Sequence, residues 1–237
     1  IAILFVVLGH NPVTNISPKI FNIIFSFHIP LFFFISGYLF NPNAAGRDLC
    51  KKRFNTLIKP YVFTISIISL IYLLVKSRPS PLWYIFWGIY GNGSNLPKLG
   101  LHLWFLPSLF LVTLVTWTLF KYIDIFKKST FLQLLLISIF LVLGVLGICL
   151  FWNIKIPSSI SNYFMVGGNQ FLVNGLLNNP AYLKELLSNE KQFILKGLPW
   201  SVDIILVNMG FFISGYFIRK NKLEYFFHQH VIALIMV

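Results

Sequence analysis

Four ionisable side chains stand inside or at the ends of long apolar runs: His10, His28, His102 and Asp203. An imidazole titrates near neutral pH and can take a proton from a hydroxyl, so histidine suits the role of general base. At membrane depth a charged group costs about 2.5–3.5 kcal/mol on insertion scales, and such residues therefore face a polar cavity or another helix. His10 closes the run IAILFVVLGH just before Asn11-Pro12, a helix end that opens toward a polar cavity. His28 sits in SFHIPLFFFISGYLF, beside Pro30 and ahead of the small pair Ser36-Gly37. His102 and Asp203 fall near the ends of their runs, where polar residues are cheap. A neutral histidine also serves as plain helix packing, so a structural reading stands beside the catalytic one for each.

The elements that must position these groups are membrane helices. A run of about 20 apolar residues crosses a bilayer, and Ile20–Phe40 has 21 residues without Lys, Arg, Asp or Glu. The pattern predicts an all-α, polytopic transmembrane bundle. The last part of a first span ends near Asn11-Pro12. Then come Ile20–Phe40, Phe54–Val75, Leu101–Phe120, Thr130–Trp152 and Pro199–Ile218, and Leu223–Val237 begins a seventh. NPNAAGRDLCKKRFNTLIKP, residues 41–60, reads as a polar loop that runs into the start of the third span, with Lys59 able to snorkel from its first turns. PLWYIFWGIYG is too short to cross and belongs in the interface, where Trp and Tyr are at home. A short surface helix is expected around Tyr182–Lys196. The chain reads as one transmembrane domain over 1–237, incomplete at both ends, since apolar runs are cut at Ile1 and Val237.

Composition agrees. The 237 residues are 57% hydrophobic and 11% charged, with mean hydropathy +0.78; a soluble protein of this size carries far more charge. The formal charge of +13 does not point to nucleic acid, because the basic residues cluster between apolar runs as topology signals and partners of anionic lipid headgroups. Segments 41–59, 121–129 and 219–222 hold eleven Lys/Arg in 32 residues, against eight in the 80 residues of the segments on the other side. By the positive-inside rule the first set is cytoplasmic. His10 then lies a few residues below the outer end of its helix and His28 about eight residues into the next. At 1.5 Å per residue these depths differ by about a turn, so the two rings could share one cavity. Cys50 and Cys149 form no metal or redox spacing.

FFISGY occurs twice, at 33–38 and 211–216, in two spans that run in the same direction and end at basic residues. Shared Phe-rich composition explains part of this. A shared packing device explains more, since a Ser-Gly step lets a neighbouring helix come close. No Walker motif, CxxC, HExxH or GxSxG elbow is present. Asn15 stands where the HxxxxD arrangement of glycerolipid acyltransferases would need its Asp.

In order and spacing, IAILFVVLGHNP, SFHIPLFFFISGYLF, KKRFNTLIKPY and HLWFLPSLF resemble the membrane-bound acyltransferase family 3. PWSVDIILVNMGFFISGY is similar to the later segment of its branch related to fucose 4-O-acetylases. The resemblance covers most of 1–120 and about 197–220. It implies about ten spans in a whole protein and transfer of an acyl group, usually acetyl, from cytoplasmic acyl-CoA to a hydroxyl of an extracytoplasmic glycan or glycolipid. No metal and no nucleic acid are implied, and the setting would be a bacterial cytoplasmic (inner) membrane. Carried onto this chain, His10 matches the essential histidine and becomes the general base, with His28 beside it. Lys52 and Arg53 match the basic cluster that would meet CoA phosphates, with Ser36 and Gly37 lining the passage of the pantetheine arm. His102, Trp104 and Asp203 match recurrent positions and are expected on the acceptor side. Two other classes stay open from sequence: a transporter or flippase for a glycan or lipid, and a membrane partner without activity.

Overall fold

A computed structural model describes residues 18–74, 81–92, 96, 102–123, 129–151, 154–156, 193–195 and 197–223. His10, the first span and all but the start of the seventh lie outside the described residues. Among the described residues the fold is helical apart from one small strand pair. Helix α1 is Pro18–Tyr38, α2 Gly46–Arg53, α3 Lys59–Leu74, α4 Pro81–Tyr90, α5 Phe105–Tyr122, α6 Thr130–Phe151 and α7 Ile205–Lys220. Strands β1 (Ile154–Ile156) and β2 (Phe193–Leu195) pair antiparallel. Among the described residues, four helical stretches are long and apolar enough to cross a membrane: Gly46–Ile71, His102–Tyr122, Thr130–Phe151 and Pro199–Lys220. Phe27–Tyr38 of α1 is a shorter apolar piece.

Two expectations are corrected. The stretch read as a loop up to Phe54 is helical from Gly46, because no breaker stands between Gly46 and Pro60 and its Lys and Arg residues are good helix formers. Pro60 would collide with the Thr56 carbonyl in a regular α-helix. The chain answers with a π turn over Phe54–Ile58, where the Lys59 N–H reaches back to the Phe54 carbonyl. The second correction concerns Tyr182–Lys196: its described part, Phe193–Leu195, is a strand register-matched to β1, with Ile194 opposite Lys155.

The residues cluster into two compact units, 1–44 with 112–144 and 206–237, and 45–111 with 145–205. In the first, α1 and α7 run side by side. A Cβ on Gly37 would run into the Phe212 carbonyl, and one on Gly215 into the Phe34 carbonyl. In the repeated hexapeptide Phe34 corresponds to Phe212 and Gly37 to Gly215, so the contact is its own mirror: each glycine receives the other helix's backbone. The FFISGY echo is a packing device, as its small residues imply. Phe40 closes the same end of the unit, edge-on to Phe120 at 5.9 Å and to Phe212 at 5.2 Å between centroids. Arg219 lies over Tyr216 and donates to the Phe40 carbonyl.

Helix α6 packs antiparallel to α7 in this unit. Gly210 meets Leu141, Gly144 meets Val207, and Asn221 Nδ2 lies 3.4 Å from Gln133 Oε1. Gln133, Ile137 and Gly144 form the buried stripe, while Phe131, Leu134, Val142, Val145 and Leu150 point outward. In water that apolar face would be a liability; in a bilayer it is the face that meets lipid.

Candidate functional site

In the first unit His28 is buried, with 3% of its surface exposed. It lies ten residues into α1, about 15 Å along the helix axis. Pro30 has no N–H, so the Ser26 carbonyl lacks its regular partner and the turn carrying His28 is loosened. An imidazole is thus buried in a helix two residues before a proline. Ser36 is two turns further along, half-buried, and Gly37 next to it is taken up by the contact with Phe212.

In the second unit, α2 brings Lys51, Lys52 and Arg53 to its last turn, directly before the π turn. Lys52 is exposed and Arg53 half-buried. Thr56 Oγ1 donates to the Lys52 carbonyl at 3.0 Å, which ties the basic turn to the widened one. Single π turns inside α-helices often mark functional positions.

The second unit also contains a corner built from the end of α4 and the segment before α7. Asp203 is 5% exposed. Its Oδ1 accepts the Leu198 N–H at 2.7 Å, while its Oδ2 is buried and meets no donor. Around it, Tyr90 Oη donates to the Gly197 carbonyl at 2.8 Å, Asn92 Nδ2 to the Leu198 carbonyl at 3.0 Å, and Trp200 Nε1 to the Ile89 carbonyl at 2.9 Å. Tyr61 Oη donates to the Gly88 carbonyl. Burial first, and then the Asp203 carboxylate, push the Tyr90 phenol up to about 12, so it stays a donor at any physiological pH.

The backbone of this corner is costly. Trp200 and Ser201 are both left-handed, at φ 53° and 55°, a conformation worth roughly 1–2 kcal/mol per residue for anything but glycine. Gly197 at φ 81° has no room for a side chain: a Cβ there would meet Asn92 Nδ2 and lie 3.0 Å from both Asp203 oxygens. The donorless buried oxygen adds about 1–3 kcal/mol. Strain and unmet hydrogen bonding of this kind gather at functional sites.

The family model for the acyltransferase family 3 domain matches residues 1–237. The chain belongs to acyltransferase family 3. No curated protein and no solved structure matches it.

Within this acyltransferase, the residues expected from sequence divide between the units. His28, Ser36 and Gly37 are in the first; Lys52, Arg53, His102, Trp104 and Asp203 are in the second. Trp104 is partly buried and packs on the cluster of Tyr61, Ile65 and Leu96. His102 is exposed, in the helical turn that leads into α5. His10 lies outside the described residues. Sequence reasoning missed Tyr90, Asn92, Gly197 and Trp200. Their signal was turn chemistry on both sides of the corner: Gly91-Asn92 after α4 and Gly197-Leu198-Pro199 ahead of Asp203.

Proposed function

We propose that this membrane acyltransferase moves an acetyl group from cytoplasmic acetyl-CoA to a hydroxyl of an extracytoplasmic glycan or glycolipid, in the cytoplasmic (inner) membrane of a bacterium. The observation that carries the reading is a buried imidazole, His28, inside a membrane helix of a chain that belongs to an acyltransferase family. His10 acts as general base. It takes the proton of the acceptor hydroxyl as that oxygen attacks the thioester carbonyl, and returns it to the departing CoA thiolate. General acid–base help of this kind contributes typically 10²–10⁴-fold. His28 orients the acceptor or donates to the oxyanion of the tetrahedral intermediate.

Lys52 and Arg53, at the end of a short helix and beside a π turn, supply cations for the nucleotide phosphates. Ser36 lines the way for the pantetheine arm, and Gly37 sets how closely α7 approaches. His102, Trp104 and Asp203 serve the acceptor. Lipid headgroups are the other partner of the basic helix ends.

The test uses radiolabelled acetyl-CoA and the full-length protein in bilayer nanodiscs with a glycan acceptor. Label is expected on the glycan, falling at least 100-fold in His10→Ala. Movement of glycan across the bilayer without label transfer, or full transfer by His10→Ala, sinks the reading.

A further inference from the structure

At one end of the first unit, two cations are fixed on aromatic rings. The spans His102–Tyr122 and Pro199–Lys220 finish side by side there, with the Phe120 and Tyr216 rings 5.1 Å apart between centroids. The Lys121 ammonium lies 5.0 Å from the centre of the Trp117 ring and 5.8 Å from that of Tyr122. Trp117 is itself held, its Nε1 donating to the Ala44 carbonyl at 3.0 Å. The Arg219 guanidinium lies 5.3 Å from the centre of the Tyr216 ring and donates to the Phe40 carbonyl. A basic residue that only sets topology, or only balances the negative end of a helix, needs its charge and not a fixed position. Here the positions are fixed as well.

We infer that this end of the first unit is a specific site for the headgroup of an anionic membrane phospholipid, whose phosphate sits on Arg219 and Lys121. The inference goes beyond the general attraction of basic helix ends to lipid, and it does not depend on the reaction proposed above. Three observations select the ligand. First, both cations keep donors to give. A guanidinium has five N–H groups and an ammonium three. Arg219 gives to one carbonyl, Lys121 faces two rings, and the described carboxylates, Asp48 and Asp203, belong to the second unit. Phosphate oxygens accept such charged donors well. Because both side chains are already held in place, little rotamer freedom is lost when a phosphate arrives.

Second, the charge balance is positive however the adjoining segments lie. Counted from the sequence alone, residues 121–128 and 219–224 hold six Lys/Arg against Asp124 and Glu224. A zwitterionic headgroup would bring its own cation to that surface, so the site favours a lipid with net negative charge. Third, the site opens where lipid lies. Lys121 and Tyr122 are exposed and Arg219 is half-buried. Trp and Tyr are residues of the membrane interface. Val115, two turns before Tyr122 on α5 and 42% exposed, offers apolar surface to an acyl chain. A soluble phosphate compound would leave that surface unused. Basic pockets between membrane helices hold anionic headgroups in this way.

The test counts retained lipid. Full-length protein is placed in nanodiscs of equal parts phosphatidylcholine and phosphatidylglycerol, and native mass spectrometry reads which lipids stay bound on release. Phosphatidylglycerol is expected to be retained over phosphatidylcholine by at least about tenfold, from two cations acting together. Lys121→Gln and Arg219→Gln should each lower its retention about fivefold. Lys220 is exposed and no described residue holds it, so Lys220→Gln should change retention by less than about twofold, although it removes the same charge from the same surface. A further arm adds acetyl-CoA or inorganic phosphate in excess, and the retained lipid is expected to stay.

Equal retention of the two lipids overturns the inference. A Lys220→Gln loss as large as that of Lys121→Gln does so too, because the attraction would then be diffuse charge and not a built site. Displacement of the lipid by acetyl-CoA or by phosphate would hand the two cations to a soluble phosphate and overturn the lipid assignment. Arg219→Gln also gives up the bond to the Phe40 carbonyl, so it is read only if it elutes as the parent does. Should it fail to fold, Lys121→Gln, which alters an exposed side chain, and the two lipids on the parent protein still decide.

Discussion

The α1–α7 crossing and the Asp203 corner solve the same problem, bringing chain segments close in a polar-poor environment, in opposite ways. At the crossing, two copies of FFISGY give each helix a glycine where the other presents a carbonyl, and both hexapeptides lie within α-helix. Neither hexapeptide contains a left-handed residue or a buried polar atom without a partner. At the corner, closeness is reached with left-handed Trp200 and Ser201, a pinched Gly197 and a carboxylate oxygen without a donor. Low-cost packing is what a scaffold needs. Packing that keeps its costs indicates that selection acted on something besides stability.

The comparison breaks most visibly at the crossing. Gly37→Val and Gly215→Val each push a side chain into backbone carbonyl that cannot move without the whole helix, so each should destabilise by more than about 3 kcal/mol. Because the contacts correspond, the two variants should lose stability about equally; detergent-unfolding midpoints and monodisperse yield measure this. A large inequality would mean that the repeated hexapeptide does not share the load. At the corner, Gly197→Ala should cost roughly 2 kcal/mol, from the left-handed backbone and the collision with the Asn92 amide. Thermal melting of the two classes side by side ranks them.

Sequence made the crossing easy to read and the corner hard. A glycine beside a serine in an uncharged run has one strong meaning in a membrane helix, and its repetition doubled the signal. The span limits followed from the lengths of apolar runs: Ile20–Phe40 became Pro18–Tyr38, and Thr130–Trp152 became Thr130–Phe151. The basic stretch before Phe54 was misjudged because charge density resembles a loop, while helix propensity does not depend on being apolar. Asp203 looked inexpensive near a span boundary. It is buried because Leu198 folds back over it, a tertiary event that no periodicity reports. Tyr90, Asn92 and Gly197 are distant from Asp203 in sequence or hidden in turns, so only coordinates bring them to one carboxylate.

Ser201→Gly sharpens the contrast in the other direction. Replacing a left-handed serine by glycine removes steric strain and should raise stability by up to about 1 kcal/mol, less the backbone entropy that glycine adds to the unfolded chain. If the strain serves the proposed activity, acetyl transfer should fall although the melting temperature rises. A helical glycine-to-alanine pair at the crossing offers no such trade, because there stability and shape are one property.

The smallest effect is a pH dependence confined to the corner. The Tyr90 phenol is raised to about 12 by burial and by Asp203, against about 10 when unfolded. For a group whose folded value is raised, the stabilising contribution is whole below the unfolded value and drains away as pH climbs to the folded one. The stability difference between the parent and Tyr90→Phe should therefore be flat from pH 5 to about 9 and shrink between about 10 and 12. Phenolate absorbance at 295 nm, followed in the same samples, should be equal in the parent and Tyr90→Phe near pH 10 and larger by one tyrosine in the parent as the pH passes about 12. The stability loss caused by Gly37→Ala should not change over that range, since neither Gly37 nor the Phe212 carbonyl takes up or releases a proton. A Tyr90→Phe difference that stayed constant through pH 12 would detach the phenol from the Gly197 carbonyl, and with it the pin that holds the corner in its strained shape.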